Sequence, residues 1–250
     1  MLLFRATQSQ FAKGIVTMWK FIALAILALF AAPAIAQDLQ SQEVVVTGTR
    51  IDQSDYSDYQ PAVGLRRQAD FLVQQVVVRG DTRDGDQREE EIRAMLLRAI
   101  DMAAGSGVEL AQGDYIVTRL TRENASDLEL ARDTRPDSER ISFLVKAPLA
   151  GTGVDAAQRR IERFVEAVPE VGRAQMDVIG DPTLSVVGPD SFRDAIIGEV
   201  AADSRRQASV VGEGYAVELS GLNMPVQWAR SGPGEVLLYI PYELKVVPRP

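Results

Sequence analysis

The chain has 250 residues, with 27 Lys+Arg against 35 Asp+Glu, and contains no His and no Cys. Those two absences exclude Ser-His-Asp and Cys-His catalysis, imidazole and thiolate metal sites, disulfides and iron–sulfur clusters. A net charge of −8 is a poor electrostatic footprint for nucleic acid, while 46% hydrophobic and 25% charged residues match an ordinary folded domain.

Lys20 leads into an unbroken apolar run, Phe21 to Ala32, followed by Pro33 and the triplet Ala34-Ile35-Ala36. A basic segment, an apolar stretch of this length and a small-x-small triplet form the pattern of a secretory signal. Crossing a bilayer takes about 20 apolar residues, so this run is too short for a permanent span. The expectation is a signal peptide over 1–36, cleaved after Ala36, with Met18 as an alternative start. Cleavage leaves 214 residues and, with Arg5, Lys13 and Lys20 gone, a charge of −11. Such a chain repels its own copies and anionic membrane surfaces. Export without Cys or a second apolar span points to a Gram-negative periplasm. Asn124-Ala125-Ser126 matches a glycosylation sequon, which in that setting reads as a polar loop.

Beyond the polar stretch 37–43, Glu43 to Arg50 reads as a β-branched strand ending at Gly48, and 52–68 as a loop or linker without periodicity. Phe71 to Arg79 is a strand that stops at Gly80-Asp81. Asp86 with Glu89 fits the cap of a helix whose buried face is Ile92, Met95, Leu96, Ala99, Ile100 and Ala103, closed by Gly105. Tyr115 to Thr121 and Ile141 to Leu149 are strands. Thr152-Gly153-Val154-Asp155 matches a capping box for a helix burying Ile161, Phe164, Val165 and Val168.

Two strands follow, Ala174–Ile179 and Thr183–Val187, then a helix from Asp190 or Ser191, with Asp194 in its first turn, whose apolar face includes Phe192, Ile196 and Val200 and extends to Ala208 and Val211. Tyr215–Leu219 is a strand. The last strand, Val236 to Val247, sets Val236, Leu238, Ile240, Tyr242, Leu244 and Val246 on one face, with Pro241 marking an edge or bulge. Helices separated by strand pairs imply an α+β fold: a mixed, largely antiparallel sheet with helices on one face, compatible with βαββ pseudo-repeats. The expected organisation is 37–68 as N-terminal strand and flexible linker, and 69–250 as the α+β domain.

The opening Val44-Val45-Val46-Thr47-Gly48 resembles the first strand of the SIMPL-domain family of exported bacterial proteins. So does the passage from strand 71–79 into helix 86–104. The C-terminal block adds an Ala- and Arg-rich helix (Ala201 to Ala208), the turn 211–214, and a Pro-Gly-Glu turn at 233–235 leading to Tyr242-Glu243-Leu244. The resemblance spans roughly 44–247 and implies a periplasmic or envelope protein without enzymatic activity, prone to oligomerise and associated with envelope stress. The long Asp/Tyr linker departs from the family, whose first two strands follow closely. Glu43 to Ile51 is also similar to the segment that opens the plug of TonB-dependent receptors. The rest of the chain lacks the many alternating strands of a 22-stranded barrel.

Candidate chemistry is sparse. Asp52, Asp55, Asp58, Tyr56 and Tyr59 gather oxygens, but their spacing fits no EF-hand loop. Asp81, Asp84 and Asp86, with Gly80 and Gly85, read as strand exit and helix cap. Gly151-Thr152-Gly153 lacks the Lys of a P-loop. Lys146 lies in a strand, where burial could make it a base, yet no Ser stands at a recognisable spacing. The doublets Arg66-Arg67, Arg159-Arg160 and Arg205-Arg206 read as solvated faces, and Trp228, Tyr215, Tyr239 and Tyr242 as aromatic packing. The expectation is therefore no catalytic, cofactor-binding or metal site, and no cofactor. It is a non-enzymatic scaffolding protein that self-associates through edge strands 44–50 or the Pro241-containing terminal strand, with an envelope protein as a further partner. The alternatives are a small-ligand-binding or carboxylate-based hydrolytic protein, and an accessory of TonB-linked uptake.

Overall fold

The computed structural model describes residues 42–46, 63–135 and 137–249. The signal-peptide segment, the Asp/Tyr cluster 52–59 and positions 47–50 of the first expected strand lie outside the described residues. The fold is α+β. Its strands are β1 Glu43–Val46, β2 Leu65–Gln68, β3 Phe71–Gly80, β4 Glu109–Gln112, β5 Ile116–Arg119, β6 Ala131–Arg132, β7 Glu139–Pro148, β8 Gln175–Val187, β9 Tyr215–Ser220, β10 Gln227–Arg230, β11 Glu235–Tyr239 and β12 Glu243–Pro248. The helices are α1 Gly85–Ala103, α2 Val154–Ala167 and α3 Arg193–Val211.

The largest sheet closes on itself. Its order is β3-β8-β1-β5-β4-β7, and β3 pairs with β7 as well as with β8, so six antiparallel strands form a ring with β6 added to β7. Ring strands alternate between two sides. One side carries Val44, Leu72, Val76, Phe143, Val145 and Leu184, all at most 2% exposed, and joins the main core. Helices α1 and α2 cover that side over β3, β7 and β8, burying Ile92, Met95, Leu96, Ile161 and Phe164. The helices lie outside, so the other side faces inward. It holds a second small core of Val45, Ala111 and Val117 with Leu144.

Strand β1 sits between β8 and β5, with Val44 opposite Val186 on one flank and Ile116 on the other. The expected edge strand 44–50 is corrected at its start: Glu43 and Val44 pair with both β5 and β8, the Val45 N–H also donates to the Tyr115 carbonyl, and Val46 pairs with β8. β2, inside the expected linker, pairs with β11 in a three-stranded sheet, β10-β11-β2. Its sequence, Leu-Arg-Arg-Gln, carries no strand pattern, and only its partner makes it one.

Three local expectations also shift. The cap of α1 is Asp84, whose carboxylate accepts the Gln87 amide at 2.9 Å, two residues before the expected Asp86. Gly107, at φ 69°, makes the left-handed closure through its N–H to the Ala104 carbonyl, whereas Gly105 lies within a 3-10 turn. Gly153 caps α2 without side-chain help, and the Thr152 hydroxyl donates instead to the Ala150 carbonyl.

The two strands expected at 174–187 are one strand with an excursion. The register with β3 passes from Val73↔Thr183 to Gln75↔Ile179, leaving Gly180, Asp181 and Pro182 opposite Gln74. Pro182 has no N–H for the ladder, and Gly180 takes φ 66°, a conformation that suits glycine. Buried Gln74 closes the gap by donating its side-chain amide to the Ile179 carbonyl at 2.7 Å and the Gly180 carbonyl at 3.1 Å.

The last expected strand is likewise divided at Pro241. β11 buries Val236 and Leu238, and Ile240 follows at 0% exposure. The chain then leaves that sheet, and β12 pairs with β9 alone. Replacing Gln74 by Ala should cost about 1–3 kcal/mol in urea unfolding, the penalty for leaving buried carbonyls unpaired. A loss below about 0.5 kcal/mol would show that the excursion does not depend on this side chain.

Candidate functional site

Three places concentrate polar or exposed apolar groups among the described residues. The first lies inside the ring. Lys146, on β7, is 4% exposed. Its ammonium meets the Glu43 carboxylate in a short ion pair, lies 3.3 Å from Glu109, and sits 4.1 Å from the centre of the Phe71 ring. The other Glu43 oxygen accepts the Ser185 hydroxyl at 2.6 Å. The register explains the meeting: Lys146 is opposite both Val73 and Glu109, and Val45 opposite Ser185, so all of these residues face inward together. The structure thus links a Ser to Lys146 through Glu43, although no sequence spacing joins them. Ser185 has 0% exposure, so no substrate reaches its hydroxyl, and the triad acts as a buried polar lock.

The second place is a pair of adjoining clefts of about 440 and 470 Å³ at one end of the ring, sharing Asp133, Arg135 and Ser138. Several of its charges are paired. Arg173 holds Asp81 by two bonds of 2.7 and 3.0 Å, Arg88 holds Glu139 at 2.7 Å, and Asp133 lies 3.9 and 3.6 Å from Arg79 and Arg140.

Glu91, buried on α1, accepts the Thr82 hydroxyl at 2.6 Å, the Gln87 side-chain amide at 2.8 Å and the Arg173 backbone N–H at 3.1 Å. Those hydrogen bonds, Thr82 first, hold its carboxyl below the ordinary value of 4.5. The Thr134 amide, followed by the charges of Arg79 and Arg140, lowers Asp133 in the same direction. Both acids are held as anions, which fits ion pairing rather than proton donation near neutrality. Gly172, at φ 57°, passes so close to the Glu91 carboxylate that a Cβ there would overlap it.

The third place is the β9–β12 ribbon with the end of α3. Both strands have six residues, and neither buries any of them. Tyr215, Val217, Leu219, Leu244 and Val246 share one face, and Ala216, Glu218, Ser220, Glu243 and Lys245 the other. Exposed apolar side chains gather beside it: Val210 at 82%, Val211 at 44%, Tyr215 at 42% and Val246 at 38%. Helix α3 is buried along Ile196, Val200, Asp203 and Ser204, and its last turns are largely exposed. Asp203 receives Arg206 and Gln207. A two-stranded ribbon alone in water is marginally stable. Among the described residues this one has an unpaired edge on each strand and an apolar face that is covered only in part.

The remaining sequence candidates are dispersed. Arg67 pairs with Asp70 at 2.7 Å and lies 4.4 Å over the Phe192 ring. Trp228 packs on Tyr115 at 5.3 Å between ring centres, rather than on Tyr215, Tyr239 or Tyr242. Among the described residues no group of three or more acids gathers as a metal site. No family model, curated protein or solved structure matches the chain.

Changing Glu43 to Gln strands the Lys146 charge and should cost about 3–5 kcal/mol, most of it recovered when Lys146→Met is added. Comparable losses in the single and double variants, read by urea unfolding, would show that the charge is not what Glu43 serves. The lowered acids set a pH dependence. Glu91 contributes stability above its ordinary pKa of 4.5 and loses that contribution as pH falls through its lower folded value. Thermal melts between pH 7 and 3 should therefore fall steeply for wild type and less steeply for Glu91→Gln; parallel curves would refute the assignment.

Proposed function

We propose that the chain is an exported, SIMPL-like protein of the cell envelope, periplasmic and non-enzymatic, which acts as a scaffolding module by self-association. The observation that carries this reading is the β9–β12 ribbon. Among the described residues it has two free edges and no buried residue, with exposed Val210, Val211, Tyr215 and Val246. A surface of that kind gains most from contact with another chain. The signal-like N-terminus supports the compartment, and the SIMPL resemblance supports the envelope setting and its association with stress.

The two alternatives fit less well. A small-ligand binder or hydrolase would use the charged cleft, where Arg79, Arg88 and Arg173 already hold carboxylates. A TonB-linked role through residues 43–51 would require Glu43 to leave Lys146 and β1 to leave both neighbours. The ribbon needs no such rearrangement.

Light scattering behind size-exclusion chromatography on residues 37–250 tests the proposal. The expected result is a discrete multimer that tightens as salt screens a charge of −11. A monomer at every protein concentration and at both low and high salt would overturn it.

A further inference from the structure

Resting on that reading, we infer that the ribbon's partner is a second copy of the chain, joined β12 to β12 about a two-fold axis centred on Leu244. The Arg249 amide donates to the Gly214 carbonyl at 2.9 Å, which continues the β9–β12 ladder past Pro248↔Tyr215. In an antiparallel ladder hydrogen-bonded pairs alternate, so Glu243, Lys245 and Val247 turn their backbone groups toward β9. Leu244 and Val246 turn theirs to the open edge. Pro248 has no N–H to offer there.

Two copies can form a hydrogen-bonded ladder only where outward residues meet outward residues, which leaves few centres for a two-fold axis. An axis at Glu243 sets that carboxylate against its own copy, and one at Lys245 does the same with ammonium groups. An axis at Val246 brings Pro248 against Leu244 and leaves Lys245 facing Val247. An axis at Leu244 places Glu243 opposite Lys245 of the second copy on both sides, with Leu244 against Leu244 and Tyr242 against Val246. Glu243 and Lys245 are exposed and share one face of the ribbon, so both are available for those pairs. The charge pattern therefore selects one register, and a two-fold pairing closes on itself instead of growing into a filament.

The test compares charge reversals. Lys245 also faces Glu218 on its own ribbon, so every protein carries Glu218→Gln, and that single variant is the reference. The full-length chain is expressed for export, purified from the soluble fraction and checked for folding by circular dichroism. Adding E243K sets Lys against Lys across the axis, and adding K245E sets Glu against Glu. Each alone should weaken the dimer about tenfold, as expected when two cross-strand attractions are lost. Mixing the two should restore association to within about threefold of the reference, because both pairs across the mixed axis are again opposite in sign.

Bulk electrostatics predicts otherwise: E243K moves a negatively charged chain toward neutrality and should strengthen association. Strengthening by E243K, or indifference to both changes in a dimeric reference, overturns the register while leaving self-association standing. A reference that stays monomeric overturns the self-association reading itself.

Discussion

A lysine ammonium inside a six-stranded ring must find a carboxylate, and that requirement organises the N-terminal half of this protein. The desolvation of Lys146 is offset only when Glu43 is brought to it, since Glu109 stands at the more exposed end of the pair. Bringing Glu43 there carries β1 into the gap between β8 and β5 and closes the ring. Closure then gives α1 and α2 a continuous apolar wall to cover. Ser185 takes up the second Glu43 oxygen, so the polar atoms of the lock satisfy one another.

The C-terminal region follows a different logic. Pro241 ends the pairing of β11, and the next six residues turn to β9 instead of extending the three-stranded sheet. The outcome is a protein with a well-buried body and a ribbon that its own body leaves largely uncovered. With β1 locked inside the ring, the ribbon's edges on β9 and β12 have no strand partner among the described residues. The amphipathic pattern of the ribbon separates apolar contacts on one face from charge pairing on the other.

Local signals in the sequence were reliable where one periodic face meets the core, whereas the face of α3, read on to Ala208 and Val211, ends earlier, with Val211 exposed. Ile92, Met95, Leu96 and Ala99 are buried as their helical spacing requires, and the alternation of Val236, Leu238 and Ile240 holds up to the proline. Reading that alternation past Pro241 joined two strands because periodicity does not register a change of partner. Leu65–Gln68 and Glu109–Gln112 carry no strand signature and exist through pairing. The ring is invisible locally for the same reason. Lys146 stood out as an unusual strand residue, but its partners come from positions 43, 109 and 185, and no spacing rule spans such distances. The charged clefts were illegible too, being assembled from turns that meet only after the ring has closed.

The position of β1 has a consequence for how the molecule comes into being. The strand that completes the ring is near the start of the chain, yet its neighbours include residues 184–187, and the bond from Ser185 to Glu43 spans 142 positions. Contacts that far apart form late and slowly. If the chain crosses a membrane N-terminus first, β1 waits for β8 while more than half of the chain follows. During that interval its Val-Val-Val core is an open template for other strands. Ring closure therefore serves as a completion signal: a truncated or stalled chain that lacks β8 cannot cover β1 on both sides, and is left displaying an apolar strand with an open edge.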